Sequence, residues 1–333
     1  MNEAVVARAR LLADDVLFPA ALATDAADTV PVALLDAVAD AGLYGLTAPT
    51  TFGGIGADAT TVHAVIEAMA GGCLTTTFVW TQHLGAARAT AAATGRVRDA
   101  WAASLADGSA RAGVAFAHLR RPGPPAVVAE PLDGGWSLTG TAPWVTGWGR
   151  VDVVHTAAVH GDDVVWLLID ARVGPSVRVE RVRLAALDAS ATVELGLRDH
   201  VVPADRVTSR EPRRDWLARD ALGLRTNGSL ALGVAGRALR LLGPGPLDDA
   251  LLAARAALDA ATVAMLPVAR AAATALAVRA ATALVASGGG RAVRRDQHAQ
   301  RLAREAMFLL VQGQTPAIRA AQVAQLTGVT PAL

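Results

Sequence analysis

The apolar residues of this chain change their spacing twice, and that double change limits the fold more than any single motif. From Val5 to Ala106 they recur every three or four residues, as in "VPVALLDAVADAGLYGL", "TTVHAVIEAMAGG" and "GRVRDAWAASLADG", which is the spacing of amphipathic helices. Near Arg111 the segments become short and rich in Val, Leu, Trp and Thr: "AGVAFAHL", "AVVAEPL", "GWSLTGTAPWVT", "VDVVHTAAV", "DVVWLLIDA", "VRVERVRL" and "ATVELGLRDHVV". Turn signals such as "DGG" and "HGDD" separate them, so the spacing predicts about seven strands in an antiparallel sheet or barrel. After "EPRRDW" the helical spacing returns and persists through "RRDQHAQRLAREAMFLLVQG". A chain of 333 residues exceeds one ordinary hydrophobic core. The expected organisation is α+β, with a helical N-terminal domain over residues 1–112, a middle β domain over 113–212 and a C-terminal helical bundle over 213–333.

Local signals refine this outline. Thr29 before Pro31 and Asp58 before "ATTVHAVIEAM" are expected to cap helices, Gly42 and Gly71 to stop them, Pro267 to split or kink the long middle segment, and Thr315-Pro316 to open a short last helix. The glycines of "LTAPTTFGGIGAD" read as turn chemistry, since no strand precedes them to make a phosphate cradle. Small residues dominate the last helices, which suits close packing. Those helices are apolar all round, so they are expected to bury more than one face, in a homo- or hetero-oligomer joined through the bundle.

Composition excludes several classes. With 53% hydrophobic and 18% charged residues the chain lies far from disorder. Lysine is absent, which removes Walker A nucleotidases and Schiff-base enzymes. The single Cys73 permits neither an internal disulfide nor a cysteine metal cluster, and it reads as a small buried hydrophobe. The seven histidines have no metal-ligand spacing, so no metal is expected. No uninterrupted apolar run reaches the roughly 18 residues of a membrane span. The start "MNEAVVARARLLADDV" mixes acids and arginines, so a cytoplasmic protein with no membrane partner is expected. Net charge is +1, yet residues 213–333 hold 15 Arg against 7 acids. That field suits an anionic ligand, an acidic partner chain or a solvated face. Without aromatic interleaving or a recognition motif, nucleic acid is not expected.

Helical, β and helical regions in this order, together with three motifs, resemble the acyl-CoA dehydrogenase family. "GLYGLTAPTTFGGIGAD" is similar to the family's "GLFGL-P-E-GG-G" element, "SLTGTAPWVTGWGRVDVV" to its "L-G-K-WITN-ADV" element, and "ASATVELGLRDHVVPADRV" to its "S-T-F-VPA-N-L" element. The resemblance spans roughly residues 30 to 240. It implies FAD as cofactor and an acyl thioester as substrate, with Trp144 packed on the isoalloxazine and the Thr146 hydroxyl near its N5. The pairing is chemically apt, because an indole is a flat stacking surface and a threonine supplies one hydrogen bond to a redox-active nitrogen. A pair of tryptophans closing one end of the β domain is the structural alternative, and it suits Trp148 better.

Departures from the family pattern matter equally. Where the family has a Thr-Glu-Pro strand end, this chain has "AHLRRPGPP". Pro122 and Gly123 keep the register, so Leu119 and Arg120 fall at the cofactor and Arg121 takes the glutamate position. The arginines suit pyrophosphate, thioester phosphates or an acidic neighbour. Gln82 and His83, and His118 on the same expected strand as Arg120, are candidates to line the acyl site. The family's base is a glutamate in a C-terminal Tyr-Glu-Gly-Thr element or early in the bundle's first helix. The chain ends at "LTGVTPAL" without the first, and Ala221 to Arg240 contains no acid. Asp220, one turn earlier, is the remaining candidate base. The family's Arg-x-Gln-Phe-Gly and Gln-x-x-Gly-Gly segments, which reach the adenine half of FAD across a dimer, are also missing. Two functions remain open: a diverged flavin-dependent acyl-thioester dehydrogenase, weak or inactive by itself, and a non-catalytic or half-site subunit of a heteromeric one.

Overall fold

The computed structural model describes residues 1–121 and 123–328; Pro122, taken above to hold the register of the "RRPG" segment, and the last five residues lie outside it. Six helices come first: α1 (Glu3–Leu12), α2 (Phe18–Ala26), α3 (Val32–Asp40), α4 (Ala59–Gly72), α5 (Leu74–Ala92) and α6 (Arg96–Asp107). Eight strands follow: β1 (Ala112–Ala115), β2 (Val127–Leu132), β3 (Gly135–Val145), β4 (Val153–His160), β5 (Asp163–Asp170), β6 (Val177–Arg181), β7 (Val193–Pro203) and β8 (Val207–Pro212). The remainder is helical again: α7 (Arg213–Asp220), α8 (Gly223–Leu242), α9 (Leu247–Ala260), α10 (Leu266–Gly288), α11 (His298–Leu309) and α12 (Pro316–Thr327).

The strands form one sheet in the order β6-β7-β3-β2-β4-β5-β8, with β1 added on β4. Most pairings are antiparallel, but β1 and β2 both meet β4 in parallel. The expected strand "AGVAFAHL" ends after four residues, and Ala117–Arg120 forms a helical turn instead. His118 and Arg120 therefore do not share a strand. The turn forms because Phe116 and His118 carbonyls accept from Leu119 and Arg121 N–H groups, closing short local rings in place of a ladder.

One of the two expected caps is observed. Asp58 does cap α4, accepting from the Thr61 N–H at 2.7 Å. Thr29, however, accepts from Arg150 at 2.5 Å and does not cap α3, whose N-cap is Pro31. Gly71 is the penultimate residue of α4, so the expected stop falls within one residue of the observed end. Its role is steric. An added Cβ there would sit 3.1 Å from the Gly233 carbonyl oxygen, and one on Gly233 would sit 2.3 Å from the Glu67 oxygen. Paired glycines thus let α4 and α8 cross in backbone contact. Their crossing fuses the N-terminal helices and the C-terminal bundle into one apolar core, in which Val65, Ile66, Met69, Leu230 and Val234 are all buried. The sheet keeps a separate core around Val127, Leu138, Val165 and Leu195.

By length and composition alone, the segment Leu266–Val293 is long and apolar enough to cross a membrane. Its first 23 residues are α10, which packs against α8, α11 and α12. Substituting Gly233→Ala is expected to lower stability by about 3 kcal/mol or more, since the contacting atom is backbone and no rotamer relieves it. Chemical denaturation with tryptophan fluorescence checks this, and a loss below 1 kcal/mol would contradict the close contact.

Candidate functional site

β3 runs out at Val145, and Trp144, its penultimate residue, stands in a break of register between Ala142 and Val145 with φ at 62°. A bulky residue in the left-handed region is a backbone outlier that the surrounding structure must impose. Its indole is 49% exposed, whereas Trp148 is half-buried against the core of the sheet. The two tryptophans of "APWVTGWG" therefore differ in kind. Thr146 is buried, and its oxygen lies 3.1 Å from that of Thr192, which lies 2.9 Å from Ser190. When Ser190 donates to Thr192 and Thr192 to Thr146, the Thr146 proton remains free to be donated. The backbone after it is fixed by Gly147 and Trp148 N–H groups donating to the Ser190 and Ala191 carbonyls.

The turn Ala117–Arg120 packs on β3. Leu119 is buried among Trp166 and Trp216, and its carbonyl accepts from Arg213 at 3.0 Å. Arg120 stacks over Phe116 and grips Asp220 with two hydrogen bonds of 2.6 Å. Of the partners that suited Arg120, the structure supplies the acidic neighbour. Both Asp220 oxygens are thereby occupied, which leaves the candidate base no free lone pair on the guanidinium side. Arg121 is exposed. His118 is buried, with Nε2 bonded to the Ala157 carbonyl at 3.0 Å and Nδ1 without a partner among the described residues. Burial pulls its pKa down to about 4, with Arg121 and Arg213 acting in the same direction.

Gln82 and His83 face different surroundings. The Gln82 amide donates to the Phe78 carbonyl on its own helix. His83 is fully enclosed: Nε2 bonds the Leu105 carbonyl at 2.8 Å, and Nδ1 accepts the Ala112 N–H at 3.0 Å. Both nitrogens tie α5 to α6 and β1, so neither is left for an acyl ligand. Its pKa is pushed down to about 4 by burial.

Three further residues belong to this region, and the sequence reading passed over them. Arg270, on α10, is 1% exposed and donates to the backbone carbonyl of Gln312, to its side-chain oxygen at 2.9 Å and to the Gly313 carbonyl at 3.3 Å. This places the turn between α11 and α12 beside Arg120 and Asn227. Here "VQGQ", residues 311–314, forms the turn, with the Gln312 amide directly before Gly313. A Gln-Gly pair after an amphipathic helix, and a lone arginine in the apolar run "LPVARAAATALA", were the available signals.

Two open grooves, of about 470 and 580 Å³, lie elsewhere, and neither is lined by Trp144, Thr146, Arg120 or Asp220. Among the described residues no cluster of His, Cys, Asp or Glu is placed to hold a metal ion. Substituting His83→Leu leaves a buried N–H and a buried carbonyl unpaired and is expected to cost on the order of 3 kcal/mol. Because the folded pKa of His83 lies below its unfolded value of 6.5, its contribution is complete above pH 6.5 and declines as pH falls toward 4. The variant's unfolding midpoint should then depend less on pH across that window. An unchanged midpoint at pH 7 would show that the tie is dispensable.

Residues 2–109 match the N-terminal domain of acyl-CoA dehydrogenases and residues 228–310 their C-terminal domain, together more than half of the chain. The comparison with curated proteins found no match to the sequence. Among solved structures, butyryl-CoA dehydrogenase from Megasphaera elsdenii superposes with a TM-score of 0.80 at 17% identity, over 97% of each chain. A glutaryl-CoA dehydrogenase from Mycobacterium smegmatis in complex with FADH2 gives 0.79 at 18% identity, over 99% of this chain and 95% of that one. The FAD complex of PigA gives 0.83 at 19% identity, over 99% and 98%. At these identities the superpositions establish the fold, and the two domain matches carry the assignment: the chain belongs to the acyl-CoA dehydrogenase family.

Proposed function

We propose that this chain is a flavoprotein that binds FAD and an acyl thioester, with its own dehydrogenation chemistry disabled by an amide at the position of the base. The observation that carries the reading is Trp144, a half-exposed indole held at positive φ directly before the Thr146–Thr192–Ser190 hydroxyl chain. These residues fit a flavin: a flat apolar face beside one donatable proton, and nearby a buried imidazole nitrogen, His118 Nδ1, without a partner among the described residues. When bound, FAD would accept a hydride from the β carbon of the thioester.

Removal of the α proton falls to the protein. Gln312 offers an amide there, which has no basic lone pair at neutral pH, and Asp220 is clamped by Arg120. The expected result is binding without appreciable turnover. An alternative use of the same site is a half-site subunit, pairing through the C-terminal bundle with a chain that supplies the base. The arginine excess of that bundle suits an acidic neighbour.

Two measurements test the reading. Trp144→Ala is expected to weaken flavin binding by about 1–3 kcal/mol, read by titration of flavin fluorescence, through loss of a stacking surface; unchanged affinity would make Trp144 a mere surface residue. Gln312→Glu supplies a carboxylate and is expected to raise acyl-CoA turnover, with an artificial electron acceptor, by roughly 10²–10⁴-fold. High turnover in the unsubstituted chain would overturn the proposal. No gain in a flavin-loaded Gln312→Glu protein would favour the half-site subunit.

A further inference from the structure

Three nitrogen donors from three separate elements surround Gly313. Around the point that a Cβ would occupy, the nearest atoms are Asn227 Nδ2 at 3.3 Å, Arg120 Nη1 at 3.4 Å and Arg270 Nη1 at 3.7 Å. Gly313 has φ at 55°, so the backbone conformation itself favours a residue without a Cβ. Arg120 uses Nε and Nη2 on Asp220, and among the described residues Nη1 has no acceptor. Asn227 Nδ2 likewise has none. Arg270 Nη1 makes only the long 3.3 Å contact to the Gly313 carbonyl.

The charge balance points the same way. Two guanidinium groups meet here and one carboxylate, Asp220, which Arg120 already holds. Among the described residues no carboxylate lies within salt-bridge reach of Arg270, which is 1% exposed and compensated by carbonyl dipoles alone. Burial, and the neighbouring Arg120 after it, pull its pKa down to about 10, which leaves it charged at neutral pH. A buried cation without a counter-charge is unfavourable. A water molecule would satisfy the donors and leave the charge uncompensated.

We propose that Arg120, Asn227 and Arg270 form a cradle for an oxyanion beside Gly313, so that the ligand of this chain carries a carboxylate or a phosphoryl group next to this turn. Guanidinium forks bind either through paired, charge-assisted hydrogen bonds. The inference goes beyond the flavin and thioester reading, although it concerns the same region, and it is tested without either.

Acetate and inorganic phosphate are titrated into the whole chain by calorimetry at constant ionic strength, with chloride as the reference anion. Saturable binding of at least one of them, well above any response to chloride, is expected. A preference for acetate assigns a carboxylate on the acyl part, and a preference for phosphate assigns a phosphoryl group of the ligand. Asn227→Asp builds a carboxylate into the cradle and is expected to weaken binding by about tenfold or more, while preserving the fold by pairing both arginines. Asp220→Asn releases Arg120 and is expected to tighten binding several-fold. Equal responses to all three anions, or an Asn227→Asp protein that folds and binds the anion as before, would overturn the proposal. Flavin affinity in the same samples reports separately on the proposed function.

Discussion

The crossing of α4 and α8 is the contact on which the rest of the molecule depends. Glycine at 233 is required for the two backbones to approach so closely, and a side chain at 71 would make a tight contact; that approach makes one core from two stretches of chain separated by the whole β domain. The strands are then an insertion between helices that already belong together. Arg237 reinforces the join by donating to the Gly71 carbonyl and to Asp14, between α1 and α2. Once α8 is fixed, the α7–α8 junction, with Asp220 and Asn227, is held close to the turn that leaves β1. The site is assembled at the boundary between the two cores, where the sheet's last tightly packed residues meet the bundle.

A chain without lysine must place every side-chain cation other than histidine on a guanidinium, and the structure uses the planarity of that group. Arg237 and Arg270 each bond backbone carbonyls that helix geometry leaves unpaired, at Gly71 and at Gln312 and Gly313. Arg301 and Glu305 form a pair that is almost wholly enclosed. Burial pushes the Glu305 carboxyl upward while Arg301 opposes it. Such pairs add little net stability, since desolvation of two ions offsets most of their attraction, but removing one partner leaves the other stranded. They therefore restrict which arrangements of the helices are tolerable. At the candidate site the same preference produces an excess of guanidinium over carboxylate, and the local positive charge follows from the way this chain fixes its turns.

The broad architecture was legible because it rests on periodicity, which a sequence displays directly. Helices α4, α8 and α12 and strands β4 and β5 follow from apolar spacing and from the signals at Asp58 and Thr315. What was hidden depended on contacts between distant residues. Gly71 reads as a helix stop in the sequence, yet its cause is Gly233, more than 160 positions away. Thr29 reads as a cap, but Arg150 claims its hydroxyl. At the site, Trp144 was visible as a rare aromatic between glycines, and Arg120 as a cation in an unexpected place. That Arg120 meets Asp220, and that His83 spends both nitrogens on backbone groups, could not be read from spacing. Gln312 and Gly313 show in the sequence only as a Gln-Gly pair after an amphipathic helix, and their contact with Arg270, 42 positions away, is not carried by spacing.

An amide and not a carboxylate at 312 has a physical consequence for the whole site. A glutamate at 312 would neutralise Arg270 internally, and the region would then hold two cations and two anions. With glutamine the hydrogen bond from Arg270 to the side-chain oxygen survives at 2.9 Å, so the turn keeps its anchor and loses only the charge. A glutamine matches the shape of a glutamate without its basicity or its charge. Arg270 therefore stays a buried cation without a counter-charge among the described residues, a state that the proposed anion beside Gly313 would relieve. On that proposal the amide that provides no base also favours anion binding, so chemistry and affinity at this position are opposed through Arg270.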